Sequence, residues 1–205
     1  GPNGAGKTTC FNLLTKFLPP TRGTITFKGQ DITRLAPAEI ARLGVVRSFQ
    51  ISAVFGDMTA LENVRVALQR QRGDNFDFWR NMRVLRQYDD EARFMLNEVG
   101  LHDAADTRAA DLSYGRKRAL EIATTLALDP EVLLLDEPMA GMGQEDIERI
   151  AALIRRAAQN RTVLMVEHNL SVVASLSDRI TVLARGKVLA RGDYATVSKD
   201  PRVIE

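Results

Sequence analysis

The chain alternates between short unbroken apolar runs and longer stretches whose apolar residues recur every three or four positions. Val132-Leu133-Leu134-Leu135 and Thr162-Val163-Leu164-Met165-Val166 are of the first kind, and each stops at acidic or polar residues. That is the pattern of strands buried on both faces. Ile147, Ile150, Ala151 and Ile154, lying between them, have the spacing of one helical face. Earlier, a helix is expected from Lys7 through Thr15, ended by Pro19-Pro20, and Gly23 to Asp31 alternates turn residues with β-formers as a short hairpin would. Pro37 to Leu43 predicts a helical turn or two, after which Gly44 releases a strand from Val45 to Gln50. Thr59-x-x-Glu62 is a capping box, opening a helix with Leu61, Val64 and Leu68 inward. Arg70 to Asp90, with Phe76, Phe78 and Trp79 among arginines, reads as an irregular or partly helical insert in which the aromatics pack locally. Glu91 to Val99 predicts a helix with Phe94, Met95 and Val99 inward, stopped at Gly100. Leu120, Ala123 and Ala127 mark another, ended by Pro130; Ile180 to Ala190 closes the chain as a hairpin turning at Arg185-Gly186. Buried strands alternating with helices mean an α/β sheet with ligands at the strands' carboxyl ends.

Charge and composition narrow the partners. Of 205 residues, 28 are Lys or Arg and 26 are Asp or Glu, interspersed, so the net +2 leaves no electrostatic footprint for nucleic acid or anionic lipid. No apolar run approaches the ~18 residues of a membrane helix. A single cysteine excludes an intrachain disulfide and suits a reducing cytoplasm; Cys10 is expected as a small buried hydrophobe on the first helix. Arg116-Lys117-Arg118 reads as a solvated helix face and His102 as an exposed loop residue.

The first nine residues carry the most specific chemistry. Gly1-Pro2-Asn3-Gly4-Ala5-Gly6-Lys7-Thr8-Thr9 satisfies G-x-x-x-x-G-K-[ST], the phosphate loop. Its glycines let successive N–H groups turn inward around a β-phosphate, and the following helix points its N-terminal partial charge at the same anion. Lys7 supplies a cation for the β- and γ-oxygens of ATP, and the Thr8 hydroxyl a ligand for Mg²⁺. Such a loop ordinarily hangs from a buried strand, so a truncated central strand and the residue that stacks on the base are expected ahead of Gly1.

Two carboxylates end the Val132 strand. Asp136 is placed to hold Mg²⁺ opposite Thr8, and Glu137, one position on, to polarise an attacking water. His168, after the Thr162 strand, could bond the γ-phosphate or orient that water. Each alone is a weak signal, since an acid after a strand is often a helix cap and a lone histidine often structural. Their order behind a complete phosphate loop raises the odds.

Together these residues resemble the ATP-binding subunits of ABC transporters over nearly the whole chain. The resemblance implies a P-loop NTPase ABC ATPase core of α/β class with a small antiparallel β subdomain and a helical subdomain. It makes residues 1–205 one ATP-binding domain, with the helical and signature part at about 59–127. Gly1 to Thr8 is its Walker A loop, Gln50 the Q-loop glutamine at the metal and catalytic site, Asp136 the Walker B carboxylate, Glu137 the catalytic glutamate and His168 the switch histidine. Leu112-Ser113-Tyr114-Gly115-Arg116 is its signature, which separates this family from other phosphate-loop ATPases. The resemblance further implies two subunits, alike or different, closing head to tail around two ATP molecules, so that Ser113, Tyr114 and Gly115 of one meet the γ-phosphate held by the other. Permease subunits would hold the protein at the cytoplasmic face of the inner membrane, and no nucleic acid partner is expected.

A finer resemblance is to the ATP-binding subunits of branched-chain amino acid importers: Arg47-Ser48-Phe49-Gln50, the insert at Phe76 to Asp90, Leu112-Ser113-Tyr114-Gly115, Val166-Glu167-His168-Asn169 and the ending Asp200-Pro201-Arg202-Val203-Ile204 look like that group. Urea-type importers and lipopolysaccharide-export ATPases are near alternatives. ABC ATPases acting on nucleic acid or ribosomes, which often carry two cassettes or basic domains, are a more distant one. Two stretches depart from the common pattern. Tyr114 and Arg116 stand where Gly and Gln are usual, and Met139-Ala140-Gly141-Met142-Gly143 lacks the usual interface aspartate.

Overall fold

A computed structural model describes residues 4–48, 54–72 and 88–204. Its first helix, α1 (Lys7–Leu14), closes at Thr15, whose hydroxyl donates to the Phe11 carbonyl at 2.7 Å. It therefore ends before the prolines expected to stop it. Strands β1 (Thr26–Phe27) and β2 (Gln30–Asp31) form the expected antiparallel hairpin. Helix α2 (Pro37–Arg42) and strand β3 (Val45–Ser48) follow. Helix α3 (Ala60–Arg72) opens on the predicted capping box: the Glu62 carboxylate accepts from Thr59 N–H at 2.8 Å, and Glu62 N–H donates to Thr59 Oγ1 at 3.2 Å. The core of the insert, with Phe76, Phe78 and Trp79, lies outside the described residues.

Helix α4 (Asp89–Glu98) turns Val99 and, partly, Met95 inward as expected, but not Phe94. Tyr88, Ala92, Leu96 and Val99 form its buried stripe at steps of four, four and three, which leaves Phe94 on the far side and 64% exposed. Helix α5 (Tyr114–Leu126), strand β4 (Val132–Asp136), helix α6 (Gln144–Ala157) and strand β5 (Thr162–Val166) complete the central layer. Helix α7 (Leu170–Leu176) precedes the closing hairpin of β6 (Ile180–Ala184) and β7 (Lys187–Gly192), and two short helices, α8 (Tyr194–Val197) and α9 (Pro201–Ile204), end the chain.

Among the described residues, β3, β4 and β5 form a parallel sheet in that order, with Val45 opposite Val132 and Leu133 opposite Val163. Alternation along β4 sorts its side chains between two cores. Leu133 and Leu135 enter a large cluster with α3, α4, α5 and α6, whereas Leu134 joins Phe11, Ile40, Val45 and Val166 beneath α1. Strand β5 is less buried than its apolar run suggests. Val163 and Met165 pack on the large cluster, but the cover from Phe11 reaches only Val166 on the other face, and Leu164 is 41% exposed.

Candidate active site

Helix α1 begins where the glycine pattern places it. Gly6 has φ 96, a conformation that side-chain-bearing residues rarely adopt, and its carbonyl accepts the Cys10 N–H at 2.9 Å to open the helix. Ala5 is buried and accepts from Gly186 N–H at 3.0 Å, so the turn of the closing hairpin braces the loop from outside. Lys7 is half-buried, and Thr8 and Thr9 are exposed in the first turn. Gly1, Pro2, Asn3 and Gln50 lie outside the described residues. Cys10 is exposed rather than buried, because Phe11, the next residue, takes the inward position at 2% exposure.

The end of β4 brings the acidic residues to that helix. Asp136 shares the face of Leu134 by strand alternation, which is the α1 face. Its side chain is 1% exposed, and Oδ2 accepts from Arg47 Nη2 at 2.5 Å. Arg47, on β3, also donates to Asn12 Oδ1 of α1 at 2.6 Å and lies 5.4 Å from the centre of the Phe11 ring. Asp136 Oδ1 is buried with no hydrogen-bond partner among the described residues. A buried carboxylate oxygen left over in this way suits a hard cation, so the donor set fits Mg²⁺.

Glu137 leaves the strand in a left-handed conformation, φ 45, with its N–H still tied to the Val166 carbonyl at 2.9 Å. The side chain is 30% exposed, and His168 Nδ1 lies 3.8 Å from Glu137 Oε1. The structure thus brings together the glutamate and histidine singled out from the sequence. His168 is set by its neighbours: Glu167, whose side chain is 1% exposed, accepts the His168 and Asn169 N–H groups through Oε1, and Asn169 caps α7. Pattern alone did not expose the parts of Arg47 and Glu167.

Ser113 and Tyr114 are exposed at the start of α5, and the Ser113 hydroxyl makes no capping bond. Gly115 is buried against α6, where a Cβ would run into the Asp146 carboxylate. The basic run that follows is not a solvated face. Arg116 pairs with Asp103 at 2.8 Å, and Lys117 donates to the Ala110 carbonyl at 2.7 Å. Arg118 is 7% exposed and paired with the equally buried Glu121 at 2.6 Å. The signal was present: Gly115, Arg118, Ile122 and Thr125, spaced by three, four and three, form one buried stripe, and Arg118 and Glu121 are neighbours on the helix.

Comparison with known proteins is consistent along the chain. Residues 1–140 match the family described as ABC transporter. Over its full length the chain is 42% identical to the high-affinity branched-chain amino acid transport ATP-binding protein BraF of Pseudomonas aeruginosa, spanning 83% of that protein. It is 40% identical to LivG of Escherichia coli strain K12, a protein of the same description, again over 83% of its length. The fold superposes on the ADP conformation of an ATP-binding cassette of an ABC transporter with a TM-score of 0.81 at 29% identity, covering 100% of this chain and 84% of that one. A dimeric post-hydrolysis cassette bound to ADP and Pi gives 0.76 at 25% identity, covering 94% of this chain and 82% of that one. With a phosphate loop, strand-end carboxylates and a signature helix on the α/β core of these cassettes, the chain belongs to the ABC transporter family.

Proposed function

We propose that this chain is the ATP-hydrolysing subunit of a transporter importing branched-chain amino acids. The observation that carries hydrolysis is the approach of His168 to Glu137 beside a buried Asp136 that keeps one free oxygen on the α1 face. The loop from Gly1 to Thr9 wraps the phosphates, with Lys7 as a charge for the β- and γ-oxygens. Thr8 and Asp136, with Gln50, would hold Mg²⁺, which neutralises phosphate charge. Glu137 accepts a proton from the attacking water, and His168 keeps that water and the γ-phosphate in line. Ser113, Tyr114 and Gly115 of a second ATP-binding subunit close over the nucleotide; the exposure of Ser113 and Tyr114 at a helix start that the serine hydroxyl does not cap suits that contact. Closure and reopening drive permease subunits from the cytoplasmic face of the membrane. The substrate class rests on 42% and 40% identity to proteins described as branched-chain amino acid transport ATP-binding proteins.

The Glu137→Gln variant of the full-length protein separates hydrolysis from closure. An amide keeps the shape but cannot take the proton, so turnover should fall ~10²–10⁴-fold while ATP still binds. Light scattering should then find a dimer only with Mg-ATP. Wild-type phosphate release would remove Glu137 from catalysis, and a strictly monomeric variant at saturating ATP would sink the trans arrangement.

A further inference from the structure

Arg118 is a costly residue to find where it is. It lies on the inward stripe of α5 among Ala119, Leu120 and Ile122, all no more than 2% exposed. A guanidinium in such a place must be paired and hydrogen-bonded to be tolerated. Glu121 supplies the charge, through Oε2 at 2.6 Å from Nη1. The other donors go to main-chain carbonyls of three successive residues: Nη2 donates to Asp136 O at 3.0 Å and more weakly to Glu137 O at 3.4 Å, and Nε reaches Pro138 O at 3.4 Å.

Those carbonyls belong to the turn that aims the Glu137 side chain. The parallel ladder ends at Asp136 opposite Val166, and beyond it Glu137 takes φ 45, a strained conformation for a residue with a Cβ. Such a conformation persists only where the surroundings over-determine it. Among the described residues three anchors do so here, the Glu137 N–H bond to Val166, the Ala140 N–H bond to the Glu137 carbonyl at 3.1 Å, and the fan of donors from Arg118. We infer that Arg118, held by Glu121, is a positioning residue for Glu137 in ATP hydrolysis, fixing the main chain from which the carboxylate reaches the attacking water. The inference rests on the proposed role of Glu137. Arg118 touches no substrate; it acts through the turn. It also sits one helical turn after Gly115, so the helix that begins with the signature residues is bonded to the main chain that carries the hydrolytic carboxylate of its own subunit.

The test uses the full-length protein with its permease partners. Removing Arg118 alone strands Glu121 in the core, so the informative variant replaces both, Arg118→Met with Glu121→Met, exchanging the buried pair for apolar groups of similar size. Thermal unfolding and Mg-ATP binding should stay near wild type, while single-turnover hydrolysis should fall about 10²-fold through misplacement of the base. Arg118→Lys, which offers a point charge in place of a planar fork, should recover only part of the rate. The decisive readout is the same exchange in a Glu137→Gln background, where residual hydrolysis should not fall further, because the group being positioned is gone. A full second loss there would show that Arg118 does not work through Glu137 and would overturn the inference, as would wild-type turnover in the folded double variant. If Glu137→Gln alone hydrolyses ATP normally, the proposed function itself fails first, so the two failures are distinguishable.

Discussion

Replacing Arg47 with Met removes the charge partner that the described residues supply to a carboxylate that is 1% exposed, while keeping most of the apolar stem that lies beside Phe11. At 2.5 Å the Arg47–Asp136 pair has a gross attraction of about 7 kcal/mol at an effective dielectric of ~20. Desolvation of both groups offsets much of this, but deleting one partner leaves the other's desolvation uncompensated. Losses of ~3–5 kcal/mol are typical of such broken pairs. The Asn12 bond to Arg47 is lost as well, so the upper half of that range is expected. Denaturant unfolding of the full-length protein without nucleotide or divalent metal gives the cleanest reading, since any ligand bound at Asp136 would stabilise the variant by mass action. Asp136→Asn and the double variant complete a cycle. The pair predicts strong non-additivity, with the double variant much less destabilised than the sum of the single ones. A loss below about 1 kcal/mol for Arg47→Met, or strict additivity, would refute the idea that Arg47 neutralises Asp136 in the resting fold.

Gly115→Ala would set a methyl group against the Asp146 carboxylate, which must turn aside from its part-exposed place; thermal unfolding should show a loss of no more than ~1 kcal/mol, relieved when Asp146 is also changed to Ala. Lys7→Ala should weaken Mg-ATP binding by ~1.5–3 kcal/mol, the worth of a charge-assisted contact, and unchanged affinity by isothermal titration would mean that Lys7 does not touch phosphate.

The sequence was most readable where one local rule acts alone. Thr59 and Glu62 form the box their spacing announces, Arg185 and Gly186 turn the last hairpin with φ 49 and 74, and Leu133 to Leu135 are all buried. It was least readable where tertiary packing chooses between faces that local pattern leaves nearly equal. On α4 a stripe of Tyr88, Ala92, Leu96 and Val99 wins over one through Phe94, because the small Ala92 admits close approach to α3 and α5 while the bulky ring is left outside. Cys10 and Phe11 compete for one inward position, and the larger apolar group takes it. The gathering of Asp136, Glu137 and His168 at neighbouring strand ends was legible because strand ends are marked by abrupt polarity. The groups that hold them were not, since the partners of Arg47 and Arg118 are 89 and 18 positions away in the chain.

Strand parity gives the site its division of labour. Asp136, two positions after Leu134, must face α1, and Arg47, two after Val45 on the neighbouring strand, faces the same way. The carboxylate nearest the phosphate loop is therefore held through its side chain, by a group from the same side of the sheet. A regular strand would then turn Glu137 to the opposite face, toward the helical core with Leu133 and Leu135. The left-handed φ at Glu137 breaks that parity, and the side chain stays partly exposed next to His168. The carbonyls of Asp136 and Glu137, at and just past the end of the ladder, are the ones that meet Arg118. One arginine thus serves an acid that obeys the alternation, and the other serves the backbone of an acid that departs from it. On the proposed function, two adjacent carboxylates would in this way reach the same nucleotide with different tasks, one buried and fixed for a cation, the other open to water.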